Sequence, residues 1–293
     1  MKNLLLFVLL LISKFALSQL ITDSILIEGH YRNFSYNIPE KSLKGGSILF
    51  VMHGSGGSSK DMLSKTTKLQ SISNQEKLLI IYPDGYKHYW NECRKFSTAA
   101  ANKEDINENA FFTAMIGIFI KKYGISKEKV FAAGFSGGGH MAYKLALTMP
   151  EKIRAITAIV ANLPEAASCD CIFAKKALPV LIINGTDDET NHYNGGQMFV
   201  NNASYGVMLS AENTLKYWAT LAGYKGAPVK KLLPDTDTAD HKTIESYSYQ
   251  LPHKPTVTLL KVVGGKHDYP GDIDVYLYAW QFFKSQMNMT KKK

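Results

Sequence analysis

Gly134-Phe135-Ser136-Gly137-Gly138 separates a strand-like apolar run, Val130-Phe131-Ala132-Ala133, from a helix-like one, His140-Met141-Ala142-Tyr143-Lys144-Leu145-Ala146-Leu147. In that context the G-x-S-x-G pattern reads as a tight strand-to-helix turn that lifts the Ser136 hydroxyl into a cleft. Small neighbours keep the turn free of clashes, and the following helix aims its positive end at any negative charge forming there. Glycine and serine also mark ordinary surface turns, so the rest of the chain has to decide. The run Gly137-Gly138-Gly139 is not followed by Gly-Lys-Ser or Gly-Lys-Thr, which excludes a phosphate-binding P-loop.

Working outward, Ile48-Leu49-Phe50-Val51-Met52, Leu78-Leu79-Ile80-Ile81-Tyr82, residues 155–160 and Val180-Leu181-Ile182-Ile183 are also continuous apolar runs. Such runs suit strands buried on both faces of a sheet. Helical candidates alternate with them. Residues 104–123 open with acids and stop at Gly124, and residues 137–149 stop before Pro150. Residues 211–222 and 273–287 follow. The alternation predicts an α/β fold, a mainly parallel sheet with helices on both faces. Ahead of it, residues 24–28 and 31–38 alternate apolar and polar around Gly29-His30, which predicts an N-terminal β-hairpin. Polar residues 235–242 read as an exposed loop. With no repeat and no Pro- or Ser-rich linker, residues 19–293 read as one domain.

A chain of 293 residues, 45% hydrophobic and 20% charged, has the composition of a globular protein with an ample core. Its start reads differently. Lys2, the apolar residues 4–12 and Ala16-Leu17-Ser18 follow the order of a secretory signal peptide over residues 1–18, with Gln19 opening the mature chain. Ser13 and Lys14 interrupt the apolar run, which argues against a membrane anchor, and no cysteine follows it to carry a lipid. The net charge of +9 falls to +7 without Lys2 and Lys14, since residues 1–18 hold no acid. The only basic run is Lys291-Lys292-Lys293, with no interleaved aromatics, so nucleic acid is excluded as the expected partner. In an oxidising compartment Cys93 suits a bridge to Cys169 or Cys171, while a bridge between the latter two stays open. Their spacing is not that of a zinc site.

In open α/β sheets, ligands bind beyond the carboxyl ends of the strands. Three further loops occupy such places. His53-Gly54-Ser55-Gly56-Gly57 follows the first buried run, and Asn184-Gly185-Thr186-Asp187-Asp188 follows Val180–Ile183. Gly264-Gly265-Lys266-His267 follows the last strand candidate, residues 257–263. Nucleophile, acid and imidazole thus come in the order Ser, Asp, His, which is the chain order of α/β-hydrolases. A serine hydroxyl is a weak nucleophile, so His267 has to take its proton, and an aspartate has to orient the ring. Backbone N–H groups of Gly137 and Ser55 are placed to hold an oxyanion. Spacing does not choose between Asp187 and Asp188. His53 suits a structural role ahead of its glycines, and His88, His192, His241 and His253 follow no comparable strand.

The chain resembles the secreted polyhydroxybutyrate depolymerase and feruloyl esterase family of α/β-hydrolases, the LpqC-like or esterase D-like group. The resemblance rests on His53–Gly57, Tyr82-Pro83-Asp84-Gly85, Trp90-Asn91, residues 111–116, Tyr123-Gly124-Ile125, residues 134–143, residues 184–196, Trp218-Ala219 and residues 264–271. Alignment on Gly185-Thr186, Tyr193 and Gly195-Gly196 implies Asp188 as the acid. Three positions depart from the family: Asn184 for a usual His, Tyr269 for a common Trp, and Tyr224 where many members have Cys. The first two are expected at the cleft, and the third implies that a disulfide used by many relatives is missing. The expected function is a secreted serine esterase acting on feruloyl or acetyl esters of plant cell-wall polysaccharides, without metal or cofactor. Trp90, Tyr193 and Tyr269 are its candidate substrate-binding residues, with core packing as the alternative. The rival readings are a polyhydroxybutyrate-type depolymerase and a non-catalytic carbohydrate-binding protein on the same fold.

Overall fold

A computed structural model describes residues 20–172, 175–200 and 202–288 of the chain. The expected signal peptide over residues 1–18, with Gln19, and the terminal lysine run lie outside the described residues. Two strands, β1 (Leu20–Ile27) and β2 (His30–Asn37), form the expected N-terminal hairpin in antiparallel register. Its two-residue turn has positive φ at both Glu28 (47°) and Gly29 (86°). That pairing matches the twist of the strands it joins.

After the hairpin come β3 (Ser47–Met52), α1 (Ser59–Lys65), α2 (Thr67–Glu76), β4 (Leu78–Pro83), the single turn α3 (Ala100–Lys103) and α4 (Glu108–Tyr123). The chain continues through β5 (Val130–Phe135), α5 (Gly137–Thr148), β6 (Ala155–Ile159), β7 (Val180–Gly185), β8 (Gly196–Val200) and β9 (Ala203–Met208). It closes with α6 (Ala211–Leu221), β10 (Val229–Leu232), β11 (Thr243–Tyr249), β12 (Val257–Val263) and α7 (Val275–Asn288). Residues 235–242 form a loop apart from a short 3₁₀ turn at Thr238–Asp240.

Ten strands form one sheet in the order β1-β2-β4-β3-β5-β6-β7-β12-β11-β10, and β8-β9 is a separate hairpin. The six central strands are parallel, while both ends of the sheet are antiparallel. The apolar runs are explained by alternation between two cores. Ile48, Phe50 and Met52 join a cluster with α4, α5 and α6, whereas Leu49 and Val51 join another with α1, α2 and α7. With both faces covered, no strand position can be polar without losing hydration.

One expectation changes in position. The helix predicted over 104–123 begins at Glu108, because the Asn107 side chain accepts the Ala110 N–H and caps it there. The acids ahead of it belong to the turn that follows α3, where Asp105 takes φ 46°. The lysine-bearing, wholly exposed β10 closes the sheet edge, where charge discourages pairing with another chain.

Strands β3 and β5 are neighbours, yet the chain leaves β3 to form β4 on one side and returns to form β5 on the other. The loops after β3 and β5 therefore diverge in opposite directions, leaving a crevice at their carboxyl ends. Met52 pairs with Gly134 there, so the His53–Gly57 loop and Ser136 start side by side.

Candidate active site

Ser136 sits at the junction of β5 and α5 with φ 52° and ψ −115°, a strained conformation for a residue with a Cβ. Its N–H donates to the Ile159 carbonyl (2.8 Å), and its carbonyl accepts the first bond of α5 from the His140 N–H (3.0 Å). These bonds hold the turn shut. A Cβ on Gly134 would lie 2.0 Å from the Gly138 carbonyl oxygen, so strand and helix meet at van der Waals limits only if residue 134 is glycine. The hydroxyl is left pointing away from both elements.

The acid and the imidazole come from the adjacent strands β7 and β12. Gly185 pairs with Val262, and a Cβ on Gly185 would lie 2.2 Å from the Gly265 carbonyl oxygen. Beyond the strands, Asp187 N–H donates to Gly265 (2.8 Å) and Gly264 N–H donates to Thr186 Oγ1 (2.8 Å). These bonds fasten one loop to the other. Asp188 Oδ1 accepts the N–H groups of Thr190 (2.8 Å) and Asn191 (2.7 Å). Its Oδ2 accepts from His267 Nδ1 (2.7 Å). A carboxylate can only accept, so Nδ1 carries the ring proton and Nε2 presents its lone pair to the Ser136 hydroxyl (2.9 Å). Asp188 is wholly buried, whereas His267 keeps 23% of its side-chain surface. Ring and hydroxyl can meet a substrate; the acid cannot. Asp187, by contrast, accepts its own neighbour's hydroxyl, from Thr186 (2.8 Å).

Ser55 and Gly137 face each other across the β3–β5 crevice. A Cβ on Gly137 would lie 2.9 Å from the Ser55 nitrogen. Among the described residues neither backbone N–H donates to another group. Two unused donors beside a hydroxyl are what an oxyanion needs. Around them a narrow crevice, with no room for a water molecule, is walled by Tyr89, Trp90, Arg94 and Tyr205. His53 serves structure: its Nε2 accepts the Gly85 N–H (2.9 Å), its Nδ1–H donates to Gly54 (2.7 Å), and burial lowers its pKa.

The three candidate aromatics are placed differently. Trp90 is 2% exposed and donates its indole N–H to the His53 carbonyl (2.9 Å), so it packs in the core and meets the crevice by one edge. Tyr193 is directed at α6, with its hydroxyl on Glu212 (3.3 Å) and Lys261 over its ring. Tyr269 lies tilted against Phe135, ring centres 4.6 Å apart, and bonds Tyr276 (3.1 Å), and burial pushes its hydroxyl up to about 12. Phe135 in turn stands edge-on to His267 at 5.5 Å. Tyr269 thus supports the imidazole from behind. Asn184 is wholly buried and bonds Ala161 and Asn162, so this departure from the family acts on the β6 loop and not on a surface that meets substrate.

Sequence reasoning missed the remaining parts of the site. His140 lies one helical turn past Ser136, fully buried. Burial first, then the charges of Arg94 and His267, push its pKa well below the ordinary value, so it is neutral. Glu92 and Arg94 form a buried ion pair (2.7 Å), and Arg94 lies 4.6 Å over the Tyr205 ring. Tyr205 arrives on β9, whose hairpin shows in the sequence only as a short alternating stretch after Gly195-Gly196. Cys93 pairs with Cys171, and Cys169 is free. The bridge ties the loop after β4 to the loop after β6. Among the described residues no cluster of His, Cys, Asp and Glu could hold a metal, and no helix is long and apolar enough to cross a membrane.

Comparison with known proteins places the fold and the family. Feruloyl esterase B of Neurospora crassa is 29% identical over 124 residues, 42% of this chain and 41% of that protein. Feruloyl esterase B of Piromyces equi is 22% identical over 189 residues, 63% of this chain and 34% of that protein. The chain thus spans less than half the length of these curated relatives. Among solved structures, the acetyl xylan esterase from Aspergillus awamori superposes with a TM-score of 0.60. That alignment covers 90% of this chain and 99% of the other at 16% identity, and it shows a shared α/β-hydrolase fold. Residues 35–217, more than half of the chain, match the phospholipase/carboxylesterase family, and the chain belongs to that family.

Proposed function

We propose that the chain is a secreted serine esterase that works through an acyl-enzyme. The observation that carries this reading is the unbroken hydrogen-bond line from Ser136 through His267 to Asp188, ending beside the unused N–H groups of Ser55 and Gly137. Ser136 Oγ attacks the ester carbonyl carbon while its proton passes to His267 Nε2. Asp188 stabilises the imidazolium, held still by Thr190 and Asn191. The carbonyl oxygen, now negative, takes hydrogen bonds from Ser55 and Gly137. Collapse breaks the bond to the alcohol, which leaves with the Nε2 proton. Water then repeats the sequence on the acyl-serine, restoring the hydroxyl and releasing the acid. Secretion is supported by the leader pattern over residues 1–18 and by the Cys93–Cys171 bridge, which persists in oxidising compartments.

The substrate class is acyl esters of plant cell-wall polysaccharides, and of the two acyl groups expected, acetyl is favoured over feruloyl. The crevice beside Ser55 and Gly137 is too narrow to hold a water molecule and is closed by Tyr89, Trp90 and Tyr205. Any acyl group has to part these walls, and a methyl group parts them far less than a substituted aromatic ring does. Hydrolysis of acetylated xylan and of 4-nitrophenyl acetate is therefore expected to be faster, in kcat/KM, than that of methyl ferulate or 4-nitrophenyl octanoate by about tenfold or more. Faster turnover of ferulate would contradict the acetyl preference. Turnover of none of these esters, nor of polyhydroxybutyrate, would favour the binding-protein alternative.

A further inference from the structure

Between α6, strand β11 and the loop that leads into β10 lies an open cleft of about 550 Å³. Its position is separate from the triad. Tyr247 pairs with Leu259 in the middle of β12, whereas His267 follows the far end of that strand. The two walls differ in chemistry. One is a stripe of α6: Glu212, Lys216 and Thr220, spaced four residues apart and so stacked on one helix face, with Asn213 beside them. The side chains of Asn213 and Lys216 are exposed and make no hydrogen bond or ion pair among the described residues.

The other wall is aromatic: Tyr224, Tyr247 and Tyr249. Each hydroxyl makes one hydrogen bond. Tyr249 donates to the Gly226 carbonyl (3.0 Å), Tyr224 accepts the Leu251 N–H (3.1 Å) and Tyr247 donates to Glu245 (2.7 Å). Lys254 and Lys230 hold the rings of Tyr224 and Tyr247 from one side, at 5.1 Å and 5.6 Å. These contacts restrain the rings, which offer a ligand carbon faces together with what hydrogen-bonding capacity the hydroxyls have left. Tyr224, one of the three departures from the family pattern, supplies part of that surface.

We propose that this cleft is a glycan-binding site distinct from the catalytic one, taking a short run of pyranose rings. A pyranose has C–H faces that lie flat on tyrosine and a rim of hydroxyls that both donate and accept. The aromatic wall meets the faces, and the carboxylate, amide, ammonium and hydroxyl of α6 meet the rim. A fatty chain would leave Asn213 and Lys216 without partners, and a polyanion would meet the Glu212 carboxylate. The choice of a glycan also rests on the esterase reading above, in which the substrate is a decorated polysaccharide. Tyr193, which bonds Glu212, links this wall to the loop that carries Asp188.

The test is isothermal titration of the full chain with xylohexaose and with cellohexaose. The wild type is expected to bind at least one of them. Tyr247→Ala is expected to weaken that binding by about tenfold or more, the loss of one stacking ring. The double variant Asn213→Ala, Lys216→Ala, altered only at exposed positions, is expected to weaken it similarly while keeping the wild-type near-ultraviolet circular dichroism. Failure of both oligosaccharides to bind, or binding unchanged in the double variant, would overturn the proposal. Absence of ester hydrolysis in the same preparations would sink the esterase reading alone, because the titration does not depend on turnover.

Discussion

Ser136→Ala is expected to lower kcat for an activated aryl acetate by about 10⁶-fold. The size of the effect follows from the division of labour at the site. The hydroxyl is the only group that can form the acyl bond, and His267 has no proton to remove once it is gone. What remains is the pair of donors at Ser55 and Gly137, which alone leave a residual rate above that of water. The variant should be folded normally. Alanine keeps the Cβ, so the positive φ at position 136 is no more strained than before, and the backbone bonds to Ile159 and His140 are untouched. A melting temperature equal to the wild type's would separate loss of chemistry from loss of structure. Equal activity of variant and wild type would remove Ser136 from the mechanism.

Asp188→Asn is the second large effect, a fall in kcat of about 10⁴-fold. An asparagine at this position offers Nδ2 or Oδ1 to His267, and Oδ1 is already occupied by the N–H groups of Thr190 and Asn191. The amide therefore turns an N–H toward Nδ1. The ring answers by moving its proton to Nε2, which then faces the Ser136 hydroxyl as a donor and cannot act as the base. Asp187→Asn is the control, because among the described residues the Asp187 side chain bonds only the adjacent Thr186 hydroxyl and lies outside the line. Its kcat is expected within about twofold of the wild type, since surface substitutions away from such networks change little. Comparable losses in the two variants would mean that the acid has been misassigned.

The parts of the fold that could be read from the chain were those with a repeating physical constraint. Continuous apolar runs marked β3 to β7 because both sides of each strand are buried, and glycines marked the turns where backbones approach too closely for a Cβ. Helices α1 and α2 escaped because they bury little, chiefly Met62 and Leu69, and so carry no apolar stripe. The start of α4 was misplaced because acids in a loop imitate acids in a first turn.

At the site, the order Ser, Asp, His and the loops beyond the strands placed the catalytic candidates together. Sequence neighbours of those residues were less informative. Tyr193 lies five residues past Asp188 yet points to α6, and Tyr269 lies two past His267 yet packs behind Phe135. A loop residue's position along the chain does not say which way its side chain turns. The walls of the crevice were illegible for another reason: Arg94, Glu92 and Tyr205 are assembled by contacts between separate loops. No local pattern records those contacts.

The central claim is that Ser136 is made nucleophilic by His267 and Asp188, and covalent trapping tests it most directly. The full chain is treated with a fluorophosphonate, which transfers its phosphonyl group to an activated serine with loss of fluoride, and the digested peptides are weighed by mass spectrometry. The account predicts one modified peptide, bearing the phosphonyl mass on Ser136. Labelling should be slowed by His267→Ala about as strongly as ester hydrolysis is. A label on another residue, or an unmodified Ser136 in a preparation that still cleaves esters, would contradict it.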